Sequence, residues 1–138
     1  MPNGIELILA DHERVSALFA QFEETPDANL VGQIVDALTA HDEAEHAALY
    51  PLLGHLLGDD AMILRATAAH AAVKAQIDLL KNLEGAPLRT AVLALRVLVE
   101  EHVADEQDVM LPALQGVATE PQLDGLGARM LQTKQRVG

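Results

Sequence analysis

The chain has 138 residues, enough for one domain with a single core and no covalent staples. Half of it is hydrophobic, yet its only aromatic residues are Phe19, Phe22 and Tyr50, so the interior must be Leu, Val, Ile and Ala, a composition suited to helices packed on helices. A formal charge of −12 makes nucleic acid and anionic membranes poor partners, and the absence of cysteine excludes disulfides and thiolate metal sites.

In chain order, Asn3-Gly4-Ile5-Glu6 has the capping-box pattern and opens a helix to about Glu23. Thr25-Pro26-Asp27 restarts the chain, with Pro26 suited to the first turn of a second helix that runs to about Leu57 and stops at Gly58. Asp59 and Asp60 can cap a third helix ending at Gly85. Pro87 begins a fourth, which continues to about Gln115 before Gly116. After Pro121 a tail helix, about residues 121–136, carries Leu123, Leu126, Met130 and Leu131. Nothing reads as strand. The expectation is an all-α single domain over residues 1–138: an antiparallel up-down-up-down four-helix bundle (about 5–115) with a short C-terminal fifth helix. No apolar run approaches bilayer length and the N-terminus lacks the features of a signal peptide, so a cytoplasmic protein is expected, as a monomer or weak homodimer.

Each long helix has an apolar stripe stepping three and four residues, and each stripe is interrupted. Helix 1 reads Ile5, Ile8, His12, Val15, Phe19, Phe22; helix 2 reads Val31, Ile34, Leu38, His41, Glu45, Ala48, Leu52. Helix 3 reads Ile63, Ala66, His70, Val73, Ile77, Leu80. Helix 4 reads Leu88, Val92, Leu95, Val99, His102, Glu106, Val109, Ala113. The stretches HDEAEHAALYPLL (41–53) and HVADEQDVMLPAL (102–114) align without a gap, matching His41 with His102, Glu45 with Glu106 and Pro51 with Pro112. The chain therefore reads as a duplicated helical hairpin about a pseudo-two-fold axis.

A lone histidine on an apolar stripe is ordinarily a hydrogen-bonded core residue. Six polar groups on four facing stripes are different, because two unpartnered carboxylates would each cost several kcal/mol to bury, and no Lys or Arg lies on any stripe. A cation from solution is the missing partner. Residues i and i+4 share a helix face about 6 Å apart along the axis, so His41 with Glu45, and His102 with Glu106, can converge on one cluster. Four histidines and two bridging carboxylates divide into two histidines per ion, around a small oxygen bridge. Nitrogen and oxygen donors without sulfur suit iron, manganese or zinc.

The ordered set of a lone His on helix 1, HxxxE on helix 2, His on helix 3 and HxxxE on helix 4 resembles the hemerythrin-like, or HHE cation-binding, family over about residues 5–115. The stretch Leu49-Tyr50-Pro51 strengthens the match. The resemblance implies a non-haem di-iron cofactor, two Fe ions with an oxo or hydroxo bridge, bound by His12, His41, Glu45, His70, His102 and Glu106. Departures from the oxygen carriers are Lys74 in place of a second helix 3 histidine, and a glutamate four residues after His102 rather than an aspartate five after it. Relatives reading HxxxEE differ too, since His46 follows Glu45 and Gln107 follows Glu106. One histidine fewer leaves a position for water, peroxide, a gas or another protein ligand.

Tyr50 and His46 lie four apart on a flank of helix 2, and a bend at Pro51 would let Tyr50 reach the cluster as ligand or redox relay. Asp11, Asp42 and Asp105 are candidates to hydrogen-bond the ligand histidines, whereas His55 lies about 21 Å further along helix 2 than His41. With no other nucleophile or acid on the inner faces, the chemistry would belong to the metals. The expected function is reaction with O2, H2O2 or NO, catalase- or peroxidase-like if it turns over; the alternative is an O2- or iron-binding sensor or carrier.

Overall fold

The computed structural model describes residues 2–137, and every regular element among them is helical. Helix α1 (Gly4–Glu24) is capped by the Asn3 side chain, which accepts the Glu6 N–H at 3.0 Å. Helix α2 (Ala28–Ala44) is capped by Asp27, so Pro26 stands outside the helix rather than in its first turn. A π-turn over Glu45–Leu49 follows without interruption and leads into α3 (Tyr50–Leu57), which ends at Gly58 in the left-handed conformation at φ 63°. Asp59 caps α4 (Asp60–Leu80) by accepting from the Met62 N–H. That helix stops at Leu80, short of the expected Gly85, which at φ 64° instead opens α5 (Gly85–Asp105). A second π-turn, Glu106–Met110, leads into α6 (Leu111–Val117), which absorbs Gly116. The tail helix α7 (Glu120–Val137) is as long as a bundle helix. A reciprocal Thr119–Gln122 capping box starts it: the Gln122 N–H donates to Thr119 Oγ1, and the Thr119 N–H to Gln122 Oε1.

The two π-turns occupy equivalent places in the repeat, and the prolines explain them. In an α-helix the ring of Pro51 would press on the carbonyl of Ala47 and could not donate to it. The wider turn relieves that pressure: the Tyr50 N–H reaches back to the Glu45 carbonyl, and the Leu111 N–H to that of Glu106. The Ala47 carbonyl, left without its helical donor, accepts Arg129 Nη2 of α7 at 3.2 Å.

One extra residue per turn rotates everything beyond it. The α-periodic stripes continue through Leu52, Val109 and Ala113, but below the π-turns the buried residues are Leu49, Tyr50, Leu53, Met110, Leu111 and Leu114, while Val109 is 43% exposed. Above them the expected Val15, Phe19, Ile34, Leu38, Val92, Leu95 and Val99 are buried as read.

The core is divided. One apolar cluster gathers Val15, Phe19, Phe22, Ile34, Ile77 and Leu95; the other gathers Ile8, Leu49, Leu53, Met110, Leu114 and, from α7, Leu126 and Met130. Between them lies a layer of histidine and glutamate. Helix α1 packs on α2 and α4 on α5, while α7 lies across α1 and α2. At the crossing of α7 with the start of α1, a Cβ on Gly127 would stand 2.9 Å from the Pro2 carbonyl oxygen, so the backbones meet where only glycine fits.

Candidate metal centre

Each of the six ligand candidates is buried, and Glu45 and Glu106 have no exposed surface at all. His12 comes from α1, His41 from the end of α2, His70 from α4 and His102 from the end of α5; each glutamate opens a π-turn. All four histidines turn Nε2 inward. His12 Nε2 lies 3.1 Å from Glu106 Oε1, and His41 Nε2 lies 3.2 Å from Glu45 Oε2. His70 Nε2 lies 2.9 Å from Glu45 Oε1, and His102 Nε2 lies 2.6 Å from Glu106 Oε2. Each carboxylate therefore offers one oxygen to the His12–His41 side and the other to the His70–His102 side.

Two donor sets result, His12–His41–Glu45–Glu106 and Glu45–His70–His102–Glu106, and within each the donor atoms lie within 4.8 Å of one another. Opposite donors on one ion with bonds of about 2.0–2.2 Å stand about 4 Å apart, so either set has the right span. Among the described residues His12 Nε2, His41 Nε2, Glu45 Oε2 and both Glu106 oxygens have no hydrogen-bond partner, although they approach one another closely. Near contact without hydrogen-bond alignment is what atoms aimed at a shared point between them display. The residues fit a cation.

The outer nitrogens are held. His41 Nδ1 donates to Asp11 Oδ2 at 2.7 Å, and Asp11 is gripped through both oxygens by Lys134 of α7. His12 Nδ1 donates to Gln107 Oε1 at 2.8 Å. His70 Nδ1 meets Asp42 and, at 3.0 Å, His46 Nε2. These bonds fix the tautomer that leaves Nε2 free for a cation. Of these four Nδ1 atoms, that of His102 has no partner among the described residues.

Tyr50 reaches the cluster: its hydroxyl stands 2.8 Å from His70 Nε2 and 3.4 Å from Glu45 Oε1. The π-turn rather than a simple bend brings it there. Its counterpart in the second half is Leu111, so only the first repeat supplies a phenol. His46 stays at the rim, touching His70. Of the expected supporting aspartates, Asp11 and Asp42 engage histidines, whereas Asp105 meets none among the described residues. His55 is exposed in α3.

Sequence reading missed the role of Gln107, whose signal was its place five residues after His102, and of Lys134, which has no local signal because its partner is 123 residues away.

Without a cation the charges settle among themselves. Burial would raise the Glu45 carboxyl, but His41, with His102 and His70, holds it well below its ordinary 4.5. Burial opposes a charged His41, yet Glu45 and Asp11 hold it well above 6.5. His102, likewise against burial, is pushed up to about 9 by Glu106 and Glu45. Burial and the surrounding carboxylates raise the Tyr50 hydroxyl, keeping it protonated. Protons on histidine thus occupy the electrostatic place a cation would take.

Fold and site together define a helical bundle with a buried histidine–carboxylate cluster able to hold metal. The sequence profile of the hemerythrin HHE cation binding domain matches residues 3–114, and the chain belongs to that family. A hemerythrin HHE cation binding domain-containing protein from Mycobacterium kansasii is similar in fold, with a TM-score of 0.86 at 23% identity, covering 99% of this chain and 88% of that one. A DNA nickase from Nostoc sp. is 26% identical over 139 aligned positions, which is 96% of this chain but 39% of the nickase, so the chain spans about two fifths of that relative's length. Helix α7, with Lys134 and Arg129, lies beyond the family match.

Proposed function

We propose that this is a non-haem di-iron protein that reacts with small oxygen or nitrogen species (O2, H2O2 or NO), with consumption of hydrogen peroxide as its leading activity. The observation that carries the reading is the pair of overlapping donor sets sharing both glutamates. Such sharing suits two ions side by side, His12 and His41 serving one and His70 and His102 the other, with an oxo or hydroxo bridge between them. Iron held there would supply the redox change, two H2O2 giving two H2O and one O2 with no outside reductant.

The protein's own residues do the rest. Asp11, Gln107 and Asp42 orient three histidines, and the two apolar half-cores flank the layer on either side. Tyr50 either presents its proton to a species at the His70 side or, on losing it, becomes an additional ligand. The up-down-up-down order, supported by the pairing of α1 with α2 and α4 with α5, belongs to this reading, as do a cytosolic setting and a monomeric or weakly dimeric state. No helix among the described residues is long and apolar enough to cross a membrane.

The test is to load the protein with ferrous iron, measure the iron-to-protein ratio and follow oxygen evolution from added peroxide. A ratio near two with evolution above that of free iron supports the reading; a ratio near one or below, or activity no greater than free iron, refutes it. Gas titration giving a stable spectral change without turnover would identify the sensor or carrier alternative.

A further inference from the structure

Asp42, His46 and His70 bring a further set of donor atoms together on the solvent side of the cluster. Asp42 lies on α2 and His46 one turn further on, in the first π-turn, so the two share a helix face; His70 meets them from α4. His46 Nε2 stands 3.0 Å from His70 Nδ1 and 3.4 Å from Asp42 Oδ1, and Asp42 Oδ1 also meets His70 Nδ1. Neighbouring donors on a tetrahedral ion with bonds of about 2.1 Å stand about 3.4 Å apart, so His46 is spaced from the other two as one ligand is from the next.

Hydrogen bonding does not account for the arrangement. His70 Nδ1 and His46 Nε2 carry at most one proton each, and a carboxylate only accepts. With both nitrogens protonated, two N–H groups confront each other at 3.0 Å; with one protonated, the other nitrogen turns a lone pair toward the carboxylate. Asp42 Oδ1 is shut off from water and has no aligned hydrogen-bond partner among the described residues. The second half of the repeat shows what orientation alone requires: Gln107 stands where His46 does and holds His12 by one hydrogen bond, and Val103 stands where Asp42 does. The first half therefore carries more donors than holding a histidine demands.

We propose that Asp42 Oδ1, His46 Nε2 and His70 Nδ1 bind a third divalent cation, zinc by their chemistry of two imidazole nitrogens and one carboxylate oxygen. The Asp42 and His46 side chains are 37% and 40% exposed, which leaves the fourth position to water, and the formal charge of −12 attracts a cation from solution. Binding replaces the proton on His70 Nδ1, which passes to solvent. The His70 ring then joins the rim to the cluster, Nδ1 facing outward and Nε2 inward. The di-iron reading enters this inference only as the identity of that inner neighbour.

The test is zinc uptake by metal-free protein, measured by equilibrium dialysis and elemental analysis on the wild type, His46→Gln, Asp42→Asn and His55→Gln, with circular dichroism verifying each fold. His46→Gln reproduces the bond that Gln107 makes in the second half and leaves the inward Nε2 atoms in place. The wild type takes up one zinc more per chain than His46→Gln, and Asp42→Asn weakens that zinc about tenfold or more. His55→Gln, which removes an exposed histidine elsewhere, changes nothing. Equal counts in the wild type and His46→Gln, or an equal loss in His55→Gln that marks the zinc as adventitious, overturn the proposal. If the wild type binds one zinc and His46→Gln neither zinc nor iron, the di-iron reading falls and the rim site stands; if both bind two ions, the rim site alone falls.

Discussion

Raising the pH of the metal-free protein should remove a calculable share of its stability. His102 is ordinarily half-protonated at 6.5, but in the folded protein Glu106, at 2.6 Å, and Glu45 outweigh burial and lift it to about 9. A proton held more tightly when folded stabilises the fold fully below the unfolded value, and that contribution fades as pH rises through the folded one. The interval from 6.5 to about 9 is worth about 3 kcal/mol for this group. His41 and His70 are raised in the same direction and steepen the loss. For a chain of this size about 3 kcal/mol corresponds to a fall in Tm of about 10 °C. The assay is thermal melting of chelator-treated protein at pH 6.5 and 9.0, followed by circular dichroism, with urea midpoints as a second measure. Glu106→Gln, which removes the principal counter-charge, should flatten the profile. A metal-free Tm that is level or rises over this range would refute the idea that histidine protons stand in for the cation. Loaded protein should behave in the opposite sense, because a cation displaces those protons and its affinity climbs with pH.

Asp11→Asn weakens metal affinity about 10- to 100-fold by loosening His41, measured by competition with a chromophoric chelator, and Lys134→Met, acting through Asp11, produces a smaller loss that Lys134→Arg restores. Tyr50→Phe leaves the fold and the iron ratio intact but removes any visible phenolate-to-ferric absorption band; an unchanged visible spectrum would exclude Tyr50 as a ligand. Gly127→Ala forces a methyl group against the Pro2 carbonyl and Gly4 nitrogen, costing about 1–3 kcal/mol in a denaturant titration.

The upper half of the molecule was readable from sequence because α-helical spacing holds there without interruption: Val15, Phe19, Ile34, Leu38 and Val99 are all buried as their spacing required. The six polar residues were readable for the same reason: His12 and His70 lie in helices without a π-turn, and His41, Glu45, His102 and Glu106 stand at or before the point where one begins. Beyond that point the spacing misleads by one residue. Val109 was read inward and faces solvent, and Leu49 and Met110 are the true core residues. The prolines marked the disturbance, but whether a helix answers a proline by bending or by widening depends on what can take the freed carbonyl. For Pro51 that is Arg129, more than 75 residues downstream. Gln107 and Lys134 escaped for a related reason: their partners are brought to them only by the packing of α1.

The division of the oily interior into two blocks, with an ionic seam between them, bears on how the molecule comes apart. Phe19 and Leu95 on one side and Leu53 and Met130 on the other share no apolar cluster, so what fuses the blocks into one melting unit is the continuity of the rods and whatever neutralises the seam. Stripped of its counter-charge at alkaline pH, the domain should uncouple there first, its two ends losing protection from hydrogen exchange at different rates. Occupancy of the seam would then govern cooperativity as well as reactivity.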